Sequence, residues 1–290
     1  MSKLYNIDYL KHLCAKYGLR PSSQFGQNFL IDPEPVEAMV AAAELTGKDT
    51  VVEVGPGFGV LTFALAQFAG AVKAYEIEKK IKPYWDGILD FAQEENKKIE
   101  IVWGNILKSY KLQVTSYKVV ANLPYQITSN VIRRFLESEN PPEVMVLMVQ
   151  KEVAERICAA PGAMSLLSVA VQYYADAEII MTVPSSCFWP EPKVDSAVIK
   201  IKYKKLKIKN TDGERFFNIV KLGFANRRKL LIKNLKSLQP GSATASPGKH
   251  GTTTTLKQIF EEIGLLPTAR AQELNVAQWK QLAEMLNNNN

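Results

Sequence analysis

EVGPGFG, residues 53–59, follows the apolar pair Val51–Val52 and leads into VLTFALAQF, residues 60–68. The order is strand, tight turn, helix, and Gly55, Gly57 and Gly59 let the backbone reverse sharply where a Cβ would hold a ligand away. This is the pattern of a nucleotide-binding loop. A dinucleotide fingerprint needs its third glycine at position 60, where Val60 stands, and the Gly-Lys-Ser/Thr ending of a phosphate loop is absent. The next apolar run, AVKAY at 71–75, ends at Glu76, and a carboxylate at the end of a second strand can accept both hydroxyls of a ribose. Glu53 is expected under the loop, near the amino-acid end of a cofactor without phosphates. The combination favours S-adenosylmethionine over NAD; the three glycines by themselves also read as an ordinary tight turn.

Working outward, apolar runs predict strands near 51–54, 71–75, 99–103, 117–121, 144–149, 177–183 and 194–203. Helical patterns at 60–68, 79–93 and 128–138 fill gaps among the first five, which implies a mainly parallel sheet covered on both faces. The last two strands, separated by the turn-rich SSCFWPEPK, are expected at its antiparallel end. Before the sheet, residues 4–17 read as a short helix, and a polar arm containing Gln24, Gln27 and Asn28 precedes a helix opened by Asp32 and Pro33. Asn28 is either a cofactor contact on an arm lying over the site or a surface loop residue. From about residue 206 basic amphipathic helices begin. SLQPGSATASPGKHGTTTT, residues 237–255, reads as a mobile loop, two more helices follow, and the Asn-only end is expected to fray. The expected division is 1–205 for the α/β unit and its arm, and 206–290 for a smaller helical unit.

With 290 residues, 47% hydrophobic and 22% charged, the chain reads as a folded protein long enough for two domains. Cys14, Cys158 and Cys187 show no metal-like pairing, and His12 and His250 lie far apart in the sequence, so neither a metal site nor a histidine-based triad is expected. No secretory core and no apolar run of membrane-spanning length is visible, and a cytoplasmic protein with reduced thiols is the expectation. The net charge is +7, yet residues 200–236 hold thirteen Lys or Arg against Asp212 and Glu214, a local +11 that leaves −4 elsewhere. Such a stripe, including Arg227, Arg228 and Lys229, suits a nucleic-acid backbone; a solvated helix face beside a lysine-protected edge strand is the other reading.

The fourth strand runs into NLPY, Asn122, Leu123, Pro124 and Tyr125. The exocyclic amine of adenine is a poor nucleophile because its lone pair is delocalised into the ring. If the Asn122 oxygen and the Pro124 carbonyl accept its two hydrogens, the nitrogen can pyramidalise and aim the lone pair at a sulfonium methyl. The cationic product then loses its proton to water, so no strong base is required. Tyr125 offers one face for the base and Phe188 the other. The alternative is a proline-defined loop with Asn122 bonded locally and Phe188 in the core. Asn105, after the third strand, is either a contact to the cofactor adenine or a turn residue following Gly104.

These segments together, SQFGQNFLID, EVGPGFGVLT, AYEIE, GNIL, NLPYQITSNVI, QKEVAERI, FWPEPKVDSAV, FANRRKLL and RAQELNVAQW, resemble the rRNA adenine N6-dimethyltransferases along nearly the whole chain, and most the bacterial small-subunit branch. The resemblance implies a Rossmann-like, seven-stranded class I methyltransferase domain with a small helical RNA-binding domain. It implies an enzyme that dimethylates adjacent adenines of small-subunit rRNA, acting as a monomer on the RNA or an assembling 30S subunit. It assigns Asn28 and Leu30 to arm contacts with the cofactor, Gly55 to the loop, Glu76 to the ribose, Asn122 to catalysis, and Tyr125 and Phe188 to the base pocket. Asn105 stands where the family usually has Asp, Glu78 where Asp is frequent, and APGAMSLLSV lacks the usual tyrosine-glycine. A large-subunit rRNA methyltransferase, a non-catalytic assembly factor and a DNA adenine methyltransferase are the alternatives.

Overall fold

The computed structural model describes residues 2–21, 27–91, 98–109, 116–204, 210–238 and 255–288. A seven-stranded sheet contains β1 (Thr50–Val54), β2 (Ala71–Glu76), β3 (Ile99–Trp103), β4 (Lys118–Asn122), β5 (Val144–Gln150), β6 (Ala175–Val183) and β7 (Ser196–Tyr203). Their order is β3-β2-β1-β4-β5-β7-β6. The first five are parallel, and β7 runs antiparallel to both β5 and β6. The central strands TVVEV and VMVLMVQ are buried along almost their whole length, as strands covered on both faces must be. From β1 the chain winds one way through β2 and β3 and the other way through β4 and β5. The crevice at the carboxyl ends of β1 and β4 is therefore a topological switch point, where open α/β sheets bind ligands.

Helices of this part are α1 (Ile7–Lys16), α2 (Glu34–Ala43), α3 (Val60–Phe68), α4 (Lys82–Phe91), α5 (Thr128–Leu136) and α6 (Lys151–Ile157). The helix expected over 4–17 is interrupted at Asn6, whose side chain accepts the Tyr9 N–H and caps α1 after a short 3-10 turn. Asp32 accepts the Glu34 N–H at 2.9 Å at the start of α2. A two-residue strand in the arm, Phe29–Leu30, pairs antiparallel with Phe188–Trp189. Strands that short have no periodicity, so the sequence reading missed them.

The helices α7 (Leu166–Tyr174), α8 (Asn210–Phe224), α9 (Leu256–Glu262) and α10 (Val276–Asn288) share a second core of Met164, Val169, Tyr173, Phe216, Val220, Phe260 and Trp279. The chain accordingly divides into Met1–Glu155 with Ala175–Lys204, and Arg156–Tyr174 with Lys205–Asn290. This corrects the expected single boundary at 205/206. Residues 156–174 leave the first unit because Tyr173 stacks on Phe216 at 4.3 Å and the Gly162 and Met164 N–H groups both donate to Gln272 O. The junction at 205–209 with its three lysines, Gln24 of the arm, most of the 237–255 loop and the last two asparagines lie outside the described residues.

Candidate active site

The glycine loop leaves β1 with Gly55, Gly57 and Gly59 at φ +73°, +55° and +91°. At Gly59 a Cβ would also lie 2.7 Å from Phe63 Cε2 and 2.8 Å from Trp85 Cη2, so glycine is required twice over. Two α4 side chains unnoticed in the sequence hold the loop's carbonyls: Tyr84 Oη donates to Phe58 O at 2.7 Å and Trp85 Nε1 to Gly57 O at 2.9 Å. In the sequence they stand inside the helical pattern at 79–93, which does not set them apart. Glu76 ties the loop from β2, accepting the Gly57 N–H at 3.2 Å on Oε2 and the Glu78 N–H at 2.7 Å on Oε1. Burial raises its carboxyl above the ordinary range, while these backbone donors pull it back. The Ile77 N–H acts on the same carboxylate, which leaves acceptor capacity for a ribose hydroxyl. The adjoining Ile77 is 66% exposed, an apolar surface beside the acid that the sequence reading did not single out.

Glu53 is fully buried in β1, and burial pushes its carboxyl up to about 8, the Thr62 hydroxyl pulling it back and the Glu76 charge adding to the rise. Among the described residues the buried Asn28 Oδ1 has no hydrogen-bond partner, and Glu53 Oε2 has only the Thr62 hydroxyl beside it, itself without another partner. Orphaned buried acceptors need a ligand's donors, and the ammonium and hydroxyl groups of S-adenosylmethionine fit this set together with the open glycine loop. The arm reaches the loop, since Phe29 stacks on Phe58 at 5.2 Å and lies 3.5 Å from where a Gly57 Cβ would be. Buried Leu30 is paired with Phe188, which joins the arm to the expected base pocket. Asn105 follows β3 and uses Oδ1 to accept the Leu107 N–H at 2.9 Å, so the turn role is realised while a second lone pair is left.

Asn122 closes β4 at the switch point, half-buried. Tyr125 opens the next turn, half-buried, with its hydroxyl 2.9 Å from Ser196 Oγ. One expectation is corrected. The Pro124 carbonyl accepts the Ile127 N–H at 3.1 Å and the Thr128 hydroxyl at 3.4 Å, so both lone pairs are engaged in the turn and none is left for a target amine. Phe188 is buried at the end of the Ser185–Cys187 turn.

In the second unit Arg227, Arg228 and Lys229 are exposed, yet they occupy a tight turn after α8 and not a helix face. Asn234 Nδ2 braces that turn by donating to Gly223 O and Asn226 O. Among the described residues, no group of three His, Cys, Asp or Glu could hold a metal, and no helix is long and apolar enough to cross a membrane.

Ribosomal RNA small subunit methyltransferase A of Ligilactobacillus salivarius is 40% identical over 298 residues, covering 99% of this chain and 97% of the relative. The protein of that name from Dehalococcoides mccartyi is 37% identical over 280 residues, 94% and 90% of the two chains. Among solved structures, the 23S rRNA methyltransferase ErmE superposes with a TM-score of 0.71 at 26% identity, covering 90% of this chain and all of the other. A dimethyladenosine transferase from Plasmodium falciparum has the same fold, with a TM-score of 0.76 at 23% identity over 90% and 98% of the chains. The ribosomal RNA adenine dimethylase profile matches residues 19–287. A match that runs from ahead of the arm into the last helix bears out the motif resemblance: the chain belongs to the ribosomal RNA adenine dimethylase family.

Proposed function

We propose that this protein transfers methyl groups from S-adenosylmethionine to N6 of adenines in small-subunit rRNA, dimethylating two adjacent adenines during assembly of the subunit. The observation that carries this reading is the placement of Asn122 at the end of β4, beside the β1 strand that delivers the glycine loop. S-adenosylmethionine supplies an electrophilic methyl on sulfur. Around it Gly55 and Gly57 admit the cofactor to the backbone, Glu76 accepts its ribose hydroxyls, and Asn105 offers its remaining lone pair to the adenine edge. Asn28, Leu30 and Glu53 receive the amino-acid end.

The Asn122 oxygen accepts a hydrogen of the target amine and so turns the nitrogen lone pair out of conjugation, towards the methyl. Tyr125 and Phe188 cover the faces of the flipped base, and Pro124 fixes the turn. Arg227, Arg228 and Lys229 hold RNA phosphates, which position the substrate without reading its sequence. The enzyme acts as a monomer in the cytoplasm, where its RNA is assembled.

Small-subunit specificity rests on the two relatives of that name that align along nearly the whole chain. The likeness to ErmE favours a second reading, a large-subunit substrate. Mapping N6-methylated adenosines in both rRNAs, from cells with and without the gene, decides. Paired dimethyladenosines lost only from the small subunit are expected; loss from the large subunit alone, or no loss, overturns the proposal.

A further inference from the structure

The mechanism leaves unused two polar residues at the start of β7, the half-buried Asp195 and the buried Ser196. Ser196, with no exposed surface, places Oγ 2.9 Å from the Tyr125 hydroxyl. The residue before it, Asp195, accepts the Ser185 N–H at 3.0 Å on its carboxylate and the Lys151 N–H at 3.0 Å on its carbonyl. Ser185 begins the turn that delivers Phe188, and its hydroxyl donates to Glu191 at 2.8 Å. Two consecutive residues, Ser196 at the start of β7 and Asp195 just ahead of it, thus anchor both aromatic walls of the pocket, one through a ring hydroxyl and the other through the turn ahead of the ring. Ser196 is itself fixed by the ladder, opposite Gln150 of β5 and Val183 of β6.

We propose that Asp195 and Ser196 are positioning residues that fix the tilt and spacing of Tyr125 and Phe188, and that this fixed spacing governs the second methyl transfer. The inference rests on the pocket assigned above. In the first transfer the amine carries two hydrogens and a hydrogen bond to Asn122 helps to orient it. After it, one hydrogen remains beside a methyl group, so the orientation of the base depends more on its stacking walls. A ring tied through its hydroxyl to a strand keeps its plane, whereas a ring held only at Cα and Cβ can tilt as the bulkier base enters.

The test uses the full chain, S-adenosylmethionine and small-subunit RNA from cells lacking the gene, with single turnovers followed by mass spectrometry of the adenosines. Ser196→Ala and Tyr125→Phe remove the same bond from opposite ends. A shift of about 1 Å away from the chemistry costs as much as 10²-fold, and a ring tilt is smaller, so each variant is expected to slow the second transfer by about 10-fold and accumulate N6-monomethyladenosine. The first transfer slows less and calorimetric affinity for S-adenosylmethionine stays at the wild-type value. The double variant is expected to be no slower than the slower single one, because the two residues act through one bond.

Wild-type product ratios in the single variants, or losses that multiply in the double, overturn the proposal. Should Ser196→Ala fail to fold, Tyr125→Phe, altered at the half-buried end, decides by its product ratio alone. Asn122→Ala run in parallel separates the levels. If it abolishes transfer while the other variants behave as wild type, the clamp fails and the pocket stands; if it too is unaffected, the pocket assignment fails with it.

Discussion

Glu53 keeps its proton to about pH 8 because β1 buries it away from water. Between the ordinary carboxyl value of 4.5 and about 8, an unfolded chain has lost this proton and the folded chain has not, so without cofactor Glu53 makes stability fall as pH rises through that window. A cationic amino group placed against Glu53 favours the carboxylate, so binding S-adenosylmethionine below pH 8 should release a proton and tighten as pH rises towards it. Calorimetry at pH 7 in two buffers of different ionisation heat is expected to give different apparent heats, and Glu53→Gln to reduce the difference. Equal heats for the unaltered protein would remove Glu53 from the cofactor site. Asn105 gives a second prediction. Its oxygen accepts the Leu107 N–H in the turn after β3, and aspartate has the same acceptors with charge assistance. Asn105→Asp should hold or improve cofactor affinity with the methylated positions unchanged; a large loss in a folded variant would show that the amide's N–H groups are needed.

At the scale of elements, the loop between β1 and α3 depends on α4 for its shape. Gly59→Ala combines an unfavourable φ of +91° with overlap against Phe63 and Trp85. It should cost roughly 1–3 kcal/mol of stability, as residues forced into sparse backbone regions do, and it should weaken cofactor binding by moving the Gly57 N–H that Glu76 accepts. Thermal unfolding with and without cofactor measures both, and an unchanged midpoint would mean that the loop relaxes freely. The loop, its strand and α3 were legible because three signals coincide within residues 51–68: an apolar run, alternating glycines and a 3.6-residue period. The arm's pairing with Phe188–Trp189 was not legible, since two residues per strand carry no period and the partners, Phe29 with Trp189 and Leu30 with Phe188, lie far apart in the sequence. The engaged Pro124 carbonyl was also out of reach, because it depends on the course of the backbone after the turn.

Across the whole molecule, apolar patterning located all seven strands of the sheet, and the charge count located the basic stripe. It did not reveal that 156–174 joins the second core, because an amphipathic helix such as α7 announces an apolar face without naming what will cover it. The exposed turn at Arg227, Arg228 and Lys229 tests the stripe's use. Reversing the three charges should weaken RNA binding and flatten its dependence on salt while leaving cofactor affinity nearly intact. Unchanged affinity and salt slope would make this turn an ordinary solvated one. In the mechanism proposed above these features serve one chemical event, the alignment of an adenine amine by Asn122. The most direct measurement is the single-turnover rate of the first methyl transfer in Asn122→Ala, with RNA and S-adenosylmethionine both saturating. Removal of a preorganised polar contact predicts a fall of at least about 10²-fold with both affinities changed far less; a wild-type rate would leave Asn122 a structural turn residue and contradict the mechanism.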